Sequence, residues 1–212
     1  TFDSEEGRRA FNHTASHILA QAVKRLYPGA KLAIGPAIAD GFYYDIDVEP
    51  AFGPEELEKI EAEMHKIVKE AYDIERFELD RAGADALMAD EPYKMELIAE
   101  HSANGEPVSF YKQGEFTDLC AGPHLDSTGR IKGNAFKLTQ CCGAYWRGDS
   151  NRKMLQRIYG IAFPKKEELD EYLRRQEEAR KRDHHKLGRG LELDTTVDVL
   201  GTGLHILLPT GP

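Results

Sequence analysis

The dipeptide Asp40-Gly41 lies between two runs of β character, K-L-A-I-G-P-A-I-A before it and F-Y-Y-D-I-D-V after it. Such a pair supplies the φ > 0 positions that a tight hairpin turn demands, and a hairpin makes its two strands antiparallel. Phe42, Tyr44, Ile46 and Val48 then share one face of the second strand. Helical spacing flanks this hairpin on both sides. Phe11, Ile18, Ala22, Val23 and Leu26 recur at helical intervals from about Glu6 to Tyr27, where Pro28-Gly29 stops the pattern. Pro54 opens a second amphipathic helix, with Leu57, Ile60, Met64, Ile67, Val68 and Ala71 as its apolar stripe. A hairpin between helices favours a mixed α+β domain over a doubly wound parallel sheet. The expected class is α+β, a mixed and largely antiparallel sheet with packed helices.

The pattern continues irregularly. Ile74–Leu79, Val108–Tyr111, Ala135–Thr139 and Arg157–Phe163 read as strands, and Arg81–Asp90 and Tyr93–His101 as helices separated by Glu91-Pro92. After Pro164 the run K-K-E-E-L-D-E-Y-L-R-R-Q-E-E-A-R-K-R-D-H-H-K-L-G is so charged that only Leu169, Tyr172, Leu173 and Gln176 form a narrow stripe, the mark of a connecting helix. The predicted division is residues 1–163, a linker helix at 164–188, and a short piece at 189–212 that reads as the edge of a further domain. No apolar run nears the ~18 residues of a membrane span, and the charged N-terminal stretch lacks the core of a signal peptide. A cytoplasmic location is expected. A net charge of −9 argues against a surface that attracts nucleic acid everywhere, but not against a local basic face.

Chemistry concentrates at two four-residue spacings. His13 and His17 fall one turn apart on the first helix, so their imidazoles can reach one ion or one substrate together. Cys120 and His124 repeat that spacing across Gly122-Pro123, which forbids a regular helix and forces a turn. Two His, one Cys and one His suit a tetrahedral zinc, although four protein ligands would leave no open position for catalysis. Asp118, two residues before Cys120, equally suits a proton-transfer site or a turn cap. A nucleophilic thiol at Cys120 is a further reading. Cys141 and Cys142 have no histidine at ligand spacing and read as core or near-core residues.

Five blocks carry a resemblance: H-T-A-S-H-I-L-A-Q-A-V-K-R-L-Y-P, A-I-G-P-A-I-A-D-G-F-Y-Y-D-I-D, T-D-L-C-A-G-P-H-L, G-A-Y-W-R-G-D-S-N-R-K-M-L-Q-R-I-Y-G and R-D-H-H-K-L-G. In this order, over residues ~8 to 188, they resemble the editing domain and linker helix of bacterial threonyl-tRNA synthetases. Alanyl-type editing domains share the two four-residue pairs, but the G-A-Y-W-R-G-D block and the linker favour the threonyl family.

The resemblance implies hydrolysis of tRNA(Thr) mischarged with serine, a need that arises because one missing methyl changes binding by only about 1–3 kcal/mol. It implies a pocket of His13, His17, Lys94, Asp118, Cys120 and His124, with Tyr44 contacting substrate. His13 would orient water, Lys94 would stabilise the oxyanion, and Asp118 and His17 would hold the seryl amine or hydroxyl. No cofactor is expected for editing, and zinc on the His/Cys quartet remains a possibility carried by the alanyl branch.

The implied partner is the acceptor end of tRNA(Thr), with Arg147, Arg152, Lys153, Arg157, Arg180, Lys181 and Arg182 as candidate backbone contacts beside Arg174 and Arg175. For the 174–182 run the alternative is a solvated helix face of Glu–Arg pairs. Residues 189–212 resemble the opening of a class II catalytic domain, and ATP and a catalytic zinc belong to the part beyond it. By itself this chain is expected not to aminoacylate, and the full-length parent is expected to be a homodimer. Rival readings are a non-catalytic module that binds the acceptor end and an alanyl-type, zinc-dependent editor.

Overall fold

The computed structural model describes residues 2, 4–39, 41–102 and 105–181, and the backbone of two short strands at 194–196 and 205–207. The chain divides into two units, Thr1–Leu169 and Asp170–Pro212. As expected, the class is α+β, and every strand pair is antiparallel.

Helix α1 (Glu5–Leu26) is capped by Ser4, whose hydroxyl accepts from the Gly7 N–H at 3.1 Å, with Glu5 and Glu6 at its positive end. From Ala10 to Val23 it is buried on nearly every side, including polar Asn12, Thr14, Ser16, His17 and Gln21. A helix enclosed in this way must find partners for its polar groups inside the protein, and that requirement makes it the floor of a polar site. Helix α2 (Pro54–Glu70) buries Ile60, Met64, Ile67 and Val68 on one stripe. Ala71 does not extend that stripe: it is the exposed C-cap, in the left-handed region at φ 51°.

The first sheet runs β1–β3–β8–β7, with β1 (Lys31–Leu32) and β2 (Ala37–Ile38) both paired to β3 (Gly41–Asp47). The predicted hairpin therefore forms, but its first arm is broken at Gly35-Pro36, because proline has no N–H to give to a ladder. Asp40 lies outside the described residues. Phe42, Tyr44 and Ile46 are fully buried and Val48 is half-buried against the same core. Strand β3 continues into β8 (Met154–Ala162), Tyr44 opposite Ile158, and β8 into β7 (Phe136–Tyr145). β7 extends well beyond Thr139 and takes in both cysteines. Adjacent strand residues face opposite ways, so Cys141 is half-buried while Cys142 is exposed, which corrects the expectation that both are near the core.

A second sheet joins β4 (Ile74–Leu79), β5 (Val108–Gln113) and β6 (Phe116–Leu119). Helices α3 (Arg81–Leu87) and α4 (Pro92–His101) pack on it through Ala84, Met88, Ile98, Val108 and Phe110. α3 ends three residues before the predicted Asp90. Helix α5 (Lys166–Lys181) begins in the first unit, where Leu169 is buried, and ends in the second. In the second unit it is laced by i,i+4 pairs, among them Arg174 with Glu178 and Arg175 with Glu171. There, strands β9 (Asp194–Thr196) and β10 (His205–Leu207) also pair antiparallel. The rest of the predicted linker and tail lies outside the described residues.

Candidate functional site

α1, the end of β6 and the loop after it bring both four-residue pairs together. The His13 and His17 rings lie 5.3 Å apart between centroids, and His124 sits 4.2 Å from one and 4.1 Å from the other. Cys120 Sγ is 3.2 Å from Nε2 of both His13 and His124, and the Gly122 N–H donates to the same sulfur at 3.2 Å. One ligand atom from each of the four residues lies within 4.8 Å of all the others, which makes the quartet a possible metal site. The loop that carries Cys120 and His124 turns at Gly122, φ 75°, where a Cβ would stand 2.2 Å from the Tyr111 hydroxyl. Only glycine fits there.

Thr14, between the two α1 histidines, sets the state of His124. Its hydroxyl donates to the Ala10 carbonyl at 2.8 Å and accepts from the Leu125 N–H at 2.9 Å. With its one proton committed, the 3.3 Å contact to His124 Nδ1 is a hydrogen bond in which the imidazole donates. His124 therefore carries its proton on Nδ1 and turns a bare Nε2 toward Cys120.

Beside the quartet, at the edge of the cavity, lies a nearly enclosed ion pair. Lys94 Nζ, from the first turns of α4, is 2.6 Å from Asp118 Oδ1, and both side chains are 3% exposed. The Tyr44 hydroxyl donates to Asp118 Oδ2 at 2.5 Å and accepts from Lys94 at 3.0 Å. Each Asp118 oxygen thus has a strong partner, while Lys94 keeps one proton unassigned of its three. His17 Nε2 stands 3.6 Å from Asp118 Oδ2, and its Nδ1 has no hydrogen-bond partner among the described residues. A cavity of about 310 Å³ opens onto His13, His17, Lys94, Asp118 and Cys120, with Arg9 at its margin.

Residues 108–159 match the family described as the threonyl and alanyl tRNA synthetase second additional domain. Over its whole length the chain is 63% identical to a threonine--tRNA ligase of Clostridium tetani and 61% identical to that of Acetivibrio thermocellus. The chain belongs to the threonine--tRNA ligase family. It spans about a third of the length of these curated relatives, 33% of each.

In this segment of the ligase family, the six residues expected in the pocket converge. Tyr44 is placed differently from an open contact surface. Its ring is fully buried, and its hydroxyl reaches the site from behind, through Asp118 and Lys94. The basic residues expected to meet tRNA mostly hold acidic partners within the protein. Arg157 binds Asp45 bidentately at 2.7 and 2.8 Å and lies 4.0 Å over the Tyr43 ring, Lys153 reaches Asp47, and Arg147 and Arg152 both reach Glu96. Arg180 and Lys181 make weaker, exposed pairs with Glu177, and Arg182 lies outside the described residues.

Sequence reading passed over Thr14, Gly35 and Glu96. Thr14 had a usable signal, a polar residue on the face of α1 that its neighbours show to be buried. Glu96 acts through residues some fifty positions away and Gly35 through the ring of Tyr44, and the spacing of neither carried a signal.

Burial dominates the protonation states of the quartet. It lowers His13 to about 4, against partial opposition from Asp118 and a hydrogen bond to the Pro123 carbonyl. Burial, then the neighbouring histidines, also pulls His17 and His124 well below the usual imidazole range. Burial pushes the Cys120 thiol up to about 12, so the group is a thiol at neutral pH, which disfavours the nucleophile reading. The unfolded chain takes up protons below its ordinary imidazole value of 6.5, whereas the folded pocket refuses them until far lower. The stabilising effect is therefore complete above pH 6.5 and is lost as pH falls toward about 4, at up to about 1.4 kcal/mol per pH unit per histidine. Thermal midpoints in chelator from pH 8 to pH 5 should fall throughout the lower half of that range and fall less steeply, by about a third, in His17→Asn. A flat native profile would refute neutral burial.

Proposed function

We propose that this segment hydrolyses the ester of seryl-tRNA(Thr), the error-removing half of a threonine--tRNA ligase. The observation that carries the reading is a dehydrated ammonium with a spare proton, Lys94, beside neutral imidazoles in one cavity. Ester hydrolysis places negative charge on the carbonyl oxygen as water adds. A preorganised cationic donor in a site shielded from solvent stabilises that charge most strongly. Lys94 supplies it, and Asp118 and Tyr44 hold it in place. Because both Asp118 oxygens are already engaged, its part is to hold Lys94 and to face His17 rather than to take a proton from water. His13, neutral at pH 7, accepts from the attacking water and aims it. His17, with Nδ1 free of partners among the described residues, meets the seryl amine or hydroxyl.

The residues also fit a metal. Three neutral imidazoles, a sulfur that receives a backbone N–H, and a buried nitrogen without a partner are a donor set suited to zinc. His13, His17, Cys120 and His124 would hold it. When bound it would supply positive charge and tie the 120–124 loop to α1. Our reading assigns hydrolysis to the protein groups alone. The purified chain is expected to keep its deacylation rate after chelation, and activity that vanishes with a stoichiometric zinc and returns on re-addition would overturn that assignment.

The proposed partner is the acceptor end of tRNA(Thr), with Arg180 and Lys181 among the phosphate contacts, and the proposed location is the cytoplasm. No helix among the described residues is long and apolar enough to cross a membrane. The activity of the full-length relatives, ligation of threonine with ATP, is proposed for the parent and not for this segment, and the parent is proposed to be a homodimer. The decisive assay presents the chain with seryl-tRNA(Thr). Native protein should release serine, and His13→Ala should retain binding while losing hydrolysis. Binding without hydrolysis by the native chain would make it a docking module instead. Hydrolysis of seryl-tRNA(Ala) in preference would make it an alanyl-type editor.

A further inference from the structure

Helix α4 has ten residues, too short to hold itself in place without tertiary contacts. Its inner side delivers Lys94 to Asp118 and Tyr44. Its outer side is gripped by the turn between β7 and β8. Glu96, about 200° around the helix from Lys94, accepts two parallel bonds from Arg152, both 2.8 Å, and one from the Trp146 indole N–H at 3.2 Å. Arg147 Nε lies 3.1 Å from the same carboxylate, and its Nη1 lies 2.7 Å from Glu100, one turn further along α4. The Arg147 backbone takes a left-handed φ of 57°, uncommon for a side chain of this size, and its guanidinium lies 5.3 Å from the Trp146 ring centre. Tyr93, next to Lys94, stacks edge-on against Trp146 at 5.1 Å and donates to Asp47 at 2.7 Å. Two guanidinium groups and an indole thus converge on one carboxylate of a short helix, and Lys94, two residues earlier on that helix, enters the reaction site.

We infer that Glu96, held by Trp146, Arg147 and Arg152, is the positioning residue that fixes the register of α4 and thereby the placement of Lys94 in the pocket. In this arrangement Arg147 and Arg152 serve the clamp and not the tRNA backbone. The inference rests on the hydrolytic reading above, because it concerns where the oxyanion donor stands. A misplacement of ~1 Å in a positioned catalytic group can cost about 10²-fold, so loosening the clamp lowers turnover while leaving binding of the aminoacyl end intact.

The test compares Glu96→Ala, Arg152→Ala and Lys94→Ala in the full chain with seryl-tRNA(Thr). It adds amide hydrogen exchange along α4 for the first two. Expected for Glu96→Ala and Arg152→Ala is a fall in kcat of about tenfold or more with KM nearly unchanged, faster exchange in α4 but not in α1, and a double variant no worse than either single one. Raised KM, unchanged kcat and a reduced salt dependence in Arg152→Ala would overturn the inference and make that arginine a tRNA contact. Unchanged exchange in α4 would overturn it whatever the rates. If Lys94→Ala still hydrolyses, the functional reading falls and the inference with it. If Lys94→Ala is inactive and Glu96→Ala is native, the inference alone falls.

Discussion

Lys94→Ala is expected to slow serine release by about 10²–10³-fold, the usual loss when one donor to a developing oxyanion is removed. It is also expected to lower stability by about 3–5 kcal/mol, because breaking one side of an enclosed pair leaves the other charge without compensation. The two effects have one origin. Asp118 is 2% exposed and has three close contacts: Lys94 at 2.6 Å, Tyr44 at 2.5 Å and, more distantly, His17 at 3.6 Å. Without the ammonium, the carboxylate must take up a proton or draw in water, and either change moves Tyr44 and His17. Lys94→Met, which fills the space but lacks the charge, should be as inactive and nearly as destabilised. Asp118→Asn paired with Lys94→Met should recover stability without activity. Urea unfolding and a single-turnover deacylation assay read the two effects separately, and a Lys94→Met chain as stable as native would show that the pair is not desolvated in solution.

Gly35→Ala is expected to be nearly as damaging, although it adds only a methyl. A Cβ at position 35 would lie 2.1 Å from Tyr44 Cδ2 and 2.4 Å from Cε2, well inside contact distance. The backbone there cannot retreat easily, since the Gly35 carbonyl accepts from Ser16 Oγ at 2.6 Å. The ring must therefore shift, and its hydroxyl leaves Asp118 and Lys94. Overpacking of this kind costs about 1–3 kcal/mol, and the pocket loses the group that fixes its ion pair from behind. Gly35→Ala should accordingly lower both the thermal midpoint and kcat. Combined with Tyr44→Leu, which frees space, it should destabilise less than the sum of the two changes. Full additivity would mean that the methyl is accommodated elsewhere.

Much of the fold was legible because its signals are local. Pro54 and the Ile60–Val68 stripe announce α2, and alternation around Asp40-Gly41 announces an antiparallel edge. Boundaries failed where packing decided them. Ala71 continues the apolar spacing of α2, yet the helix stops before it in a left-handed cap, and α3 ends at Leu87 although nothing in the next three residues forbids a helix. The convergence of the six pocket residues was inferred from the family resemblance, since neither four-residue spacing contains the other's position and Lys94 lies outside the quoted blocks. Tyr44 shows the limit most clearly. Alternation puts it on the core face of β3, and only the tertiary arrangement reveals that its hydroxyl ends at Asp118. The same holds for the arginines, whose charge was visible but whose acidic partners, Glu96 from α4 and Asp45 from β3, come from other parts of the fold.

Part of what encloses the site on α1 is made long after it. His13 and Cys120 are separated by 107 positions, which at ~5–20 residues per second is roughly 5–20 s of synthesis. The quartet is therefore complete only once His124 has been made, whatever part of the fold has formed before it.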